Sequence, residues 1–374
     1  MKQARSLMRF LGKIEGLPVA VVLVVLVVAF MITAPEVFLK SRIYMSFLQT
    51  VAPPLILGLG LTFVITAGEI DLSFPATVAF SGYVFTWCFK TFSVSMDASL
   101  AAAAGLVLAL ISGAMVGYVN GVIVARVGVP SIMVTLAAQF FWYGVTVLLA
   151  GGLQAALATI ENNGIHSTFV GRIYGIIPNP ERGQIGIPAQ ALWAVALTIF
   201  FWFILNRHKF GEAVMFIGDN PNVARVMGIN VEATRIQLFT LMGVVAAFAG
   251  VILTLEMRVF YPTQGQGMLL PVMAAVFIGG TSIAGGVGVI FGTFFGSYII
   301  GSLEAGVVAT GVSGFWVQLV QGLVMSGSIV LNTIISDGRI AVLFDRLRHW
   351  GVPLRSGSPR QVPPLDGADK VLRS

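Results

Sequence analysis

The sequence predicts an all-α polytopic membrane protein with about ten transmembrane helices, some of them broken or re-entrant. The first reason is composition: 57% of the 374 residues are hydrophobic, only 10% are charged, and the mean hydropathy is +0.91. Soluble globular domains are about 25% charged. The second reason is a series of apolar stretches, most of them close to the roughly 20 residues that cross a bilayer. A soluble enzyme is therefore excluded.

Ten apolar stretches follow one another along the chain. The first comes after four basic residues and resembles a signal peptide, but no small-residue cleavage site closes it, so we expect it to be retained as a span. The eighth and ninth are interrupted by glycines. The predicted spans are residues 17–35, 43–66, 74–91, 98–119, 130–150, 188–206, 236–257, 268–283, 287–304 and 314–335.

The distribution of basic residues predicts the orientation. An even number of spans places both termini on one side, and 16 of the 22 lysines and arginines then lie on that side. Cytoplasmic loops carry such an excess, so we expect an N-terminal tail (1–16) and a disordered C-terminal tail (336–374) in the cytoplasm, flanking a permease domain (17–335). The loop 207–235 is also expected inside, and the loop 151–187 outside as a compact cap.

The sequence gives no sign of a disulfide, a metal site or an ATP-binding loop. Cys88 is the sole cysteine, which excludes an internal disulfide and suggests inert packing. His166, His208 and His349 are far apart, so we expect no metal site. No GxxxxGK[ST] loop is present, and the chain is not expected to hydrolyse ATP alone.

Two polar, glycine-containing breaks interrupt the apolar pattern. They are "TAGEIDLSFP" (66–75) and "GGTSIAGG" (279–286), and each follows a span running from outside to inside. Irregular backbone at membrane depth is tolerated where it is buried or lines a path. We therefore expect a translocation path whose inner end lies at the two breaks, with two glutamines of the last span beside it. The predicted path residues are Glu69, Asp71, Ser73, Gly279, Gly280, Thr281, Ser282, Gln318 and Gln321.

Two acids in the first break need a role, because a charge at the centre of a membrane helix costs about 2.5–3.5 kcal/mol. Near the cytoplasmic face, water relieves much of this cost. We expect Asp71 or Ser73 to cap the helix that has Pro75 in its first turn, with Arg126 a possible partner. For Glu69 two interpretations are open: it influences transport, or it is a solvated loop acid. In either case Glu69→Gly is expected to leave folding intact.

The inner loop contains a short helix signal, "NPNVARVMGI" (220–229). Asp219 or Asn220 is the predicted N-cap, Pro221 the first helical residue and Gly228 the stop. One apolar face is formed by Val223, Val226 and Met227. A helix this short must lie against something, and two interpretations are open: it packs under the protein's own spans, or it docks into a soluble protein.

Glycines also recur at four-residue intervals, a spacing that lets helix backbones approach closely. Packing between helices of one chain is the favoured interpretation, and a dimer interface is the alternative. The two series are Gly113, Gly117 and Gly121, and Gly288, Gly292 and Gly296.

Three motifs together resemble the permease subunits of bacterial ABC importers for ribose, xylose and related monosaccharides. The family's "GGIDLSVG" is similar to "GEIDLSFP", its "GGTSLAGG" to "GGTSIAGG", and its "ALGGNEEAARLSGI" to "FIGDNPNVARVMGI". The resemblance covers about 40–335 and implies a type II ABC importer-like fold in the bacterial inner membrane. A departure is Glu69, where the family has glycine.

The resemblance implies that the short helix couples the chain to a separate ATPase subunit. The matching positions are Gly218, Asn220, Ala224, Arg225, Gly228 and Ile229, and the coupling segment also includes Asp219, which stands where the family has glycine. It also implies a second permease copy or paralogue, contact with membrane lipid, and a periplasmic solute-binding protein that delivers a sugar to residues 151–187 and 258–267. ATP and Mg²⁺ are expected on the ATPase, no cofactor on this chain, and no nucleic acid as partner.

Other functions remain open from the sequence. A permease for a nucleoside or a branched-chain amino acid would have a similar architecture. A self-sufficient secondary carrier is a further alternative, which the scarcity of ionisable groups inside the spans disfavours.

Overall fold

The structure is a computed structural model that describes residues 15–179, 183–311, 313 and 315–336. Almost all of the two predicted tails lies outside the described residues. The chain divides into a compact unit, Met1–Asn332, and a short unit, Thr333–Ser374, of which only the end of one helix is described.

Helices dominate the described chain. They are α1 Leu17–Thr33, α2 Pro35–Phe38, α3 Ser41–Thr50, α4 Ala52–Thr66, α5 Phe74–Phe92, α6 Ala98–Val122, α7 Ser131–Ala150, α8 Gly164–Val170, α9 Ala189–Arg207, α10 Lys209–Asp219, α11 Pro221–Val226, α12 Val231–Met257, α13 Leu269–Ile278, α14 Ile290–Ala309 and α15 Phe315–Ser336. A π-helical turn, Ile123–Val127, extends α6, and a 3₁₀ turn covers Ile160–Asn162.

Five described helices are long and apolar enough to cross a membrane, or six if one bent pair counts as a single span. The five are α6 with its π-helical turn, α7, α9, α12 and α14. Each of the ten predicted stretches contains at least one helix, but α1 and α13 are shorter than a full span. The protein is therefore a polytopic helical membrane protein, and the count of ten spans stays a prediction.

The bent pair lies where the sequence predicted one span, 43–66. The axes of α3 and α4 differ by 46°, with the break at Val51. Pro53 and Pro54 follow immediately. Proline has no backbone N–H and its ring clashes with the preceding turn, so a continuous helix through this position is disfavoured.

The longest helix, α12, lies at the centre and packs along α6, α5 and α4. The backbones of α6 and α12 are in direct contact. A Cβ atom added at any of three glycines of α6 would overlap main-chain atoms of α12: Gly113, Gly117 and Gly121. A Cβ at Gly243 would overlap Gly113 in return. The first glycine series thus packs helices within the chain, as favoured from the sequence.

The loop after α7 contains three of the four described strands, and the fourth follows α12; the all-α prediction missed all four. Strand β1 (Ala155–Ala156) pairs antiparallel with β4 (Val259–Phe260), and β2 (Arg172–Asn179) forms a hairpin with β3 (Gly183–Pro188). Strands β1 and β4 have two residues each, too few for an alternating pattern, and the β2 sequence, RIYGIIPN, does not alternate between apolar and polar residues.

The same loop packs onto the helices beneath it. The ring centroid of Phe169 lies 5.1 Å from the ring centroid of Trp193 in α9 and 5.5 Å from the ring centroid of Phe248 in α12. The Asn163 side-chain amide donates to the Ala98 carbonyl. Burial lowers the pKa of His166, and a hydrogen bond with the Leu255 backbone partly offsets this shift.

Candidate coupling junction

The first break, residues 67–73, separates α4 from α5 and is held by a polar stripe on α7. The stripe consists of Ser131, Thr135 and Gln139. Ser131 Oγ accepts from the Ile70 N–H (3.1 Å), and Thr135 Oγ1 donates to the Ile70 carbonyl (3.3 Å). Gln139 Oε1 accepts from the Ala76 N–H (2.9 Å) in the first turn of α5. Side chains four residues apart lie on one helix face, so the three residues can act together. They form hydrogen bonds with backbone groups of the first break and of α5, which lipid could not provide.

Asp71 is buried and stabilises the turn into α5. Its Oδ1 accepts from the Ser73 N–H (2.7 Å) and the Ser73 hydroxyl (2.6 Å), and Asn120 Nδ2 donates to the same hydroxyl (2.9 Å). Ser73 occupies the N-cap position without a side-chain capping bond. Arg126, the possible partner named from the sequence, is exposed and forms no ion pair with any residue that the structure describes.

Glu69 forms a buried ion pair rather than a solvated contact. It is 7% exposed, and its Oε1 lies 2.8 Å from Nε of Arg235. The Nε–H finds no well-aligned hydrogen bond within the described chain, so the contact is a charge pair rather than a directed hydrogen bond. Arg235 lies in the second turn of α12. The interpretation of Glu69 as a solvated loop acid is therefore wrong.

The second break, residues 279–289, separates α13 from α14. Its irregular path uses left-handed glycines: Gly280, Gly285 and Gly286 have φ between 78° and 92°. Thr281 is fully buried, and its Oγ1 accepts from the Val289 N–H (3.3 Å). The predicted path residues 279–282 thus form a compact turn.

The two breaks meet at the end of α10. The Gly286 N–H donates to the Thr66 carbonyl at the end of α4 (2.8 Å). Gly218 lies against both: a Cβ there would overlap the Thr66 carbonyl and come within 2.5 Å of the Gly286 nitrogen. A Cβ at Gly68 would lie 3.9 Å from the Gly218 Cα. We name residues 66–73, 218 and 279–289 the coupling junction.

The short helix α11 follows directly from the junction and projects away from it. Asn220 is its N-cap, with Oδ1 accepting from the N–H groups of Asn222 and Val223, and Pro221 is its first residue. Asp219 ends α10 instead of capping α11. Gly228 adopts φ +84° after the helix, as its predicted role as a stop requires.

One residue of α11 anchors the helix while its apolar face stays open. Ala224 is fully buried in a small cluster with Ile217, Ile229 and Val231. The remaining coupling position, Arg225, donates to the Asn222 side chain (3.3 Å). The exposed fractions of the predicted apolar face are 51% for Val223, 90% for Val226 and 57% for Met227. The helix therefore does not pack under the protein's own spans.

The structure does not bring Gln318 and Gln321 to the junction. Both lie on α15, where Gln318 is exposed and Gln321 half-buried. Val320 and Val324 of this helix pack against a cluster that includes Ile299 and Leu303, near the middle of α14.

The described chain is thus a set of apolar helices with two interrupted segments that meet next to a short helix with an exposed apolar face. The family model described as "Branched-chain amino acid transport system / permease component" matches residues 43–329, and the chain belongs to this family. It is thus a multi-pass permease of the membrane.

Curated relatives are named as sugar permeases. A ribose import permease protein of Escherichia coli (strain K12) is 31% identical over 83% of this chain and 92% of its own. A ribose import permease protein of Bacillus subtilis (strain 168) is 32% identical over 87% and 94%. A fructose import permease protein of Rhizobium meliloti is 32% identical over 84% and 85%. No solved structure matches the chain.

Proposed function

We propose that the chain is the translocation subunit of an ATP-driven importer for a monosaccharide, either a pentose, a hexose or a related polyol. The names of the relatives support this substrate class, since they include ribose, fructose and xylose permeases. ATP is bound and hydrolysed with Mg²⁺ by a separate ATPase subunit, and this chain holds neither.

The open apolar face of α11 is the observation that carries the coupling role. Two apolar side chains of this six-residue helix, Val223 and Val226, and a third at its C-cap, Met227, are exposed, yet Ala224 of the helix is buried. Gly218, just before the helix, packs against the junction. Exposed apolar clusters with a defined geometry mark protein–protein contacts. We assign α11 as the surface that fits a cleft of the ATPase.

This assignment of α11 also defines the proposed orientation of the chain in the membrane and the sites of its other partners. The coupling junction faces the cytoplasm together with both termini, as the bias of basic residues favours, and ten spans cross the inner membrane. The opposite end, with residues 151–187 and 258–267, receives a periplasmic solute-binding protein. A second copy of the chain or a paralogue completes the path.

Two alternative functions are less well supported than this proposal. The family description names branched-chain amino acids, so an amino-acid substrate, or a nucleoside, is the alternative within the same mechanism. A self-sufficient secondary carrier is less favoured, because an ion-driven carrier has no need of an exposed apolar helix beyond the spans.

A single substitution tests the docking of α11. Val226→Asp places a charge in the proposed interface without touching the buried side of the helix, so we expect sugar uptake to fall about tenfold or more. The measurement is labelled-sugar uptake by cells that contain the ATPase and the binding protein, at equal membrane levels of the chain.

The matched control is Val127→Asp. Val127 is 69% exposed at the end of the π-helical turn, on the predicted cytoplasmic side but outside α11. Uptake by this variant is expected to equal that of the wild type. Full uptake by the Val226→Asp variant would contradict the assignment of α11.

A further inference from the structure

A cavity of about 540 Å³ lies between α3, α4, α13 and α14. Most of its wall is apolar, but one carboxylate, Glu304, and three hydroxyl groups line it. The hydroxyl groups belong to Ser46, Thr50 and Ser297. None of these residues belongs to the coupling junction or to the motifs that identify the family.

Most of the cavity lies away from the coupling junction, although Ala275 in its wall is one helical turn before Gly279. Glu304 lies about 21 Å along α14 from Ile290, at about 1.5 Å per residue, and Ile290 directly follows the second break. Thr50 precedes the whole of α4, whose other end reaches the junction. The cavity therefore lies toward the opposite end of these helices, which the proposed function assigns to the side of substrate entry.

Glu304 needs an explanation in this position. It is an exposed residue of α14, one of the helices able to cross a membrane, lies five residues before that helix ends, and forms no ion pair with the described residues. Ionisable groups on membrane helices are costly, and they typically face a water-filled cavity or a functional pathway. A carboxylate that faces a partly polar cavity is a hydrogen-bond acceptor for a bound molecule.

We infer that this cavity is a substrate-contact site, in which Glu304 accepts hydrogen bonds from the hydroxyl groups of a neutral monosaccharide. The inference rests on the proposed function and extends it to the path through the chain. A sugar presents hydroxyl groups to the carboxylate and to Ser46 and Thr50, and an apolar ring face to Phe47, which lines the same cavity. A branched-chain amino acid could offer its ammonium group to Glu304, but it has no set of hydroxyl groups for Ser46 and Thr50, so it is the alternative ligand that the experiment must separate from a sugar.

The first experiment uses cysteine protection. Cys88 is buried and is the sole native cysteine, so Ser46→Cys provides one reactive thiol in the cavity, with the wild type as the background control. We expect a water-soluble methanethiosulfonate to label this thiol in the full importer. Saturating D-ribose or D-fructose should slow the labelling severalfold, whereas L-leucine should not.

Three results of this experiment would overturn the inference. Protection by L-leucine and not by sugar would identify an amino-acid site. Labelling only by a membrane-permeant maleimide would identify a lipid-filled groove. Labelling that neither sugar slows would show that no sugar binds in the cavity.

The second experiment measures uptake of the same labelled sugars. A hydrogen bond to a charged group contributes about 1.5–3 kcal/mol, so Glu304→Gln should reduce uptake about tenfold or more. The control is Glu36→Gln, because Glu36 is an exposed glutamate in α2, which lies against α3, and it does not line the cavity.

The outcomes separate this inference from the proposed function. If the wild type imports the sugar and the Glu304→Gln variant imports it equally well, the inference fails and the proposed function stands. If the wild type, together with its ATPase and binding protein, imports no monosaccharide, the proposed function fails and the inference with it.

Discussion

At the scale of single residues, the Glu69–Arg235 pair shows what tertiary structure adds to the sequence. The two residues are far apart in the chain, and only the packing of the first break against α12 brings them within 2.8 Å. The sequence indicates that Glu69 departs from the glycine of the resembling family, but no local pattern predicts its partner. The buried pair also reverses the expectation that Glu69→Gly leaves folding intact.

We predict that Glu69→Gly destabilises the protein. Removing the carboxylate leaves the partly buried Arg235 without its partner charge, at a cost of about 1–3 kcal/mol. The measurement is thermal unfolding of the purified protein in detergent, where the variant should melt at a lower temperature than the wild type.

Two further variants complete this test. Glu212→Gln changes an exposed glutamate in the first turn of α10 and should melt with the wild type. The double exchange Glu69→Arg with Arg235→Glu should recover part of the stability lost in Glu69→Gly. A Glu69→Gly protein as stable as the wild type would show that the ion pair contributes nothing.

At the scale of helices, the sequence predicts where along a helix a close contact lies better than it predicts which helix is the neighbour. The glycine series in α6 predicts a close helix contact, and the structure provides one, but nothing in the spacing identifies α12 as the neighbour. The stripe of Ser131, Thr135 and Gln139 carries a readable signal: polar residues at every fourth position of an apolar span. Its target, the backbone of the first break, depends on how α7 packs.

We predict that Gly243→Ala weakens the contact between α6 and α12. The new methyl group would meet the Gly113 carbonyl, which belongs to the backbone and cannot rotate away. Overpacking of this kind costs about 1–3 kcal/mol, seen as a lower melting temperature.

The control for this prediction lies in α7. A Cβ at Gly144 has no heavy atom within 4 Å, so Gly144→Ala should stabilise the protein by about 0.5–1 kcal/mol through helix propensity. Equal effects of the two substitutions would mean that the helix contact is not tight.

The short helix α11 is the element that the sequence predicts most fully, because its signals are local. Its N-cap, first-position proline and terminal glycine lie within nine residues, Asn220–Gly228, and all three occupy the predicted positions. Whether its apolar face is covered depends on the rest of the fold. That question was open from the sequence, and the exposure of Val226 resolves it within this chain.

At the scale of the whole molecule, the coupling junction and most of the proposed substrate cavity lie toward opposite ends of α4 and α14. The coupling junction joins the ends of α4, α10 and α13 to the start of α14, and the cavity lies near the other end of α4 and α14. A movement of α11 would therefore reach the cavity through helices that already span the distance between them. Such a layout suits a permease in which a partner's ATP cycle changes access to a substrate.

The central claim is that this chain moves a monosaccharide only when a separate ATPase drives it. The direct measurement is uptake of labelled D-ribose and D-fructose into proteoliposomes, with the chain alone or together with its ATPase and binding protein. We predict uptake only in the complete system with ATP and Mg²⁺, and none by the chain alone under a proton or sodium gradient. Gradient-driven uptake by the chain alone would contradict the account.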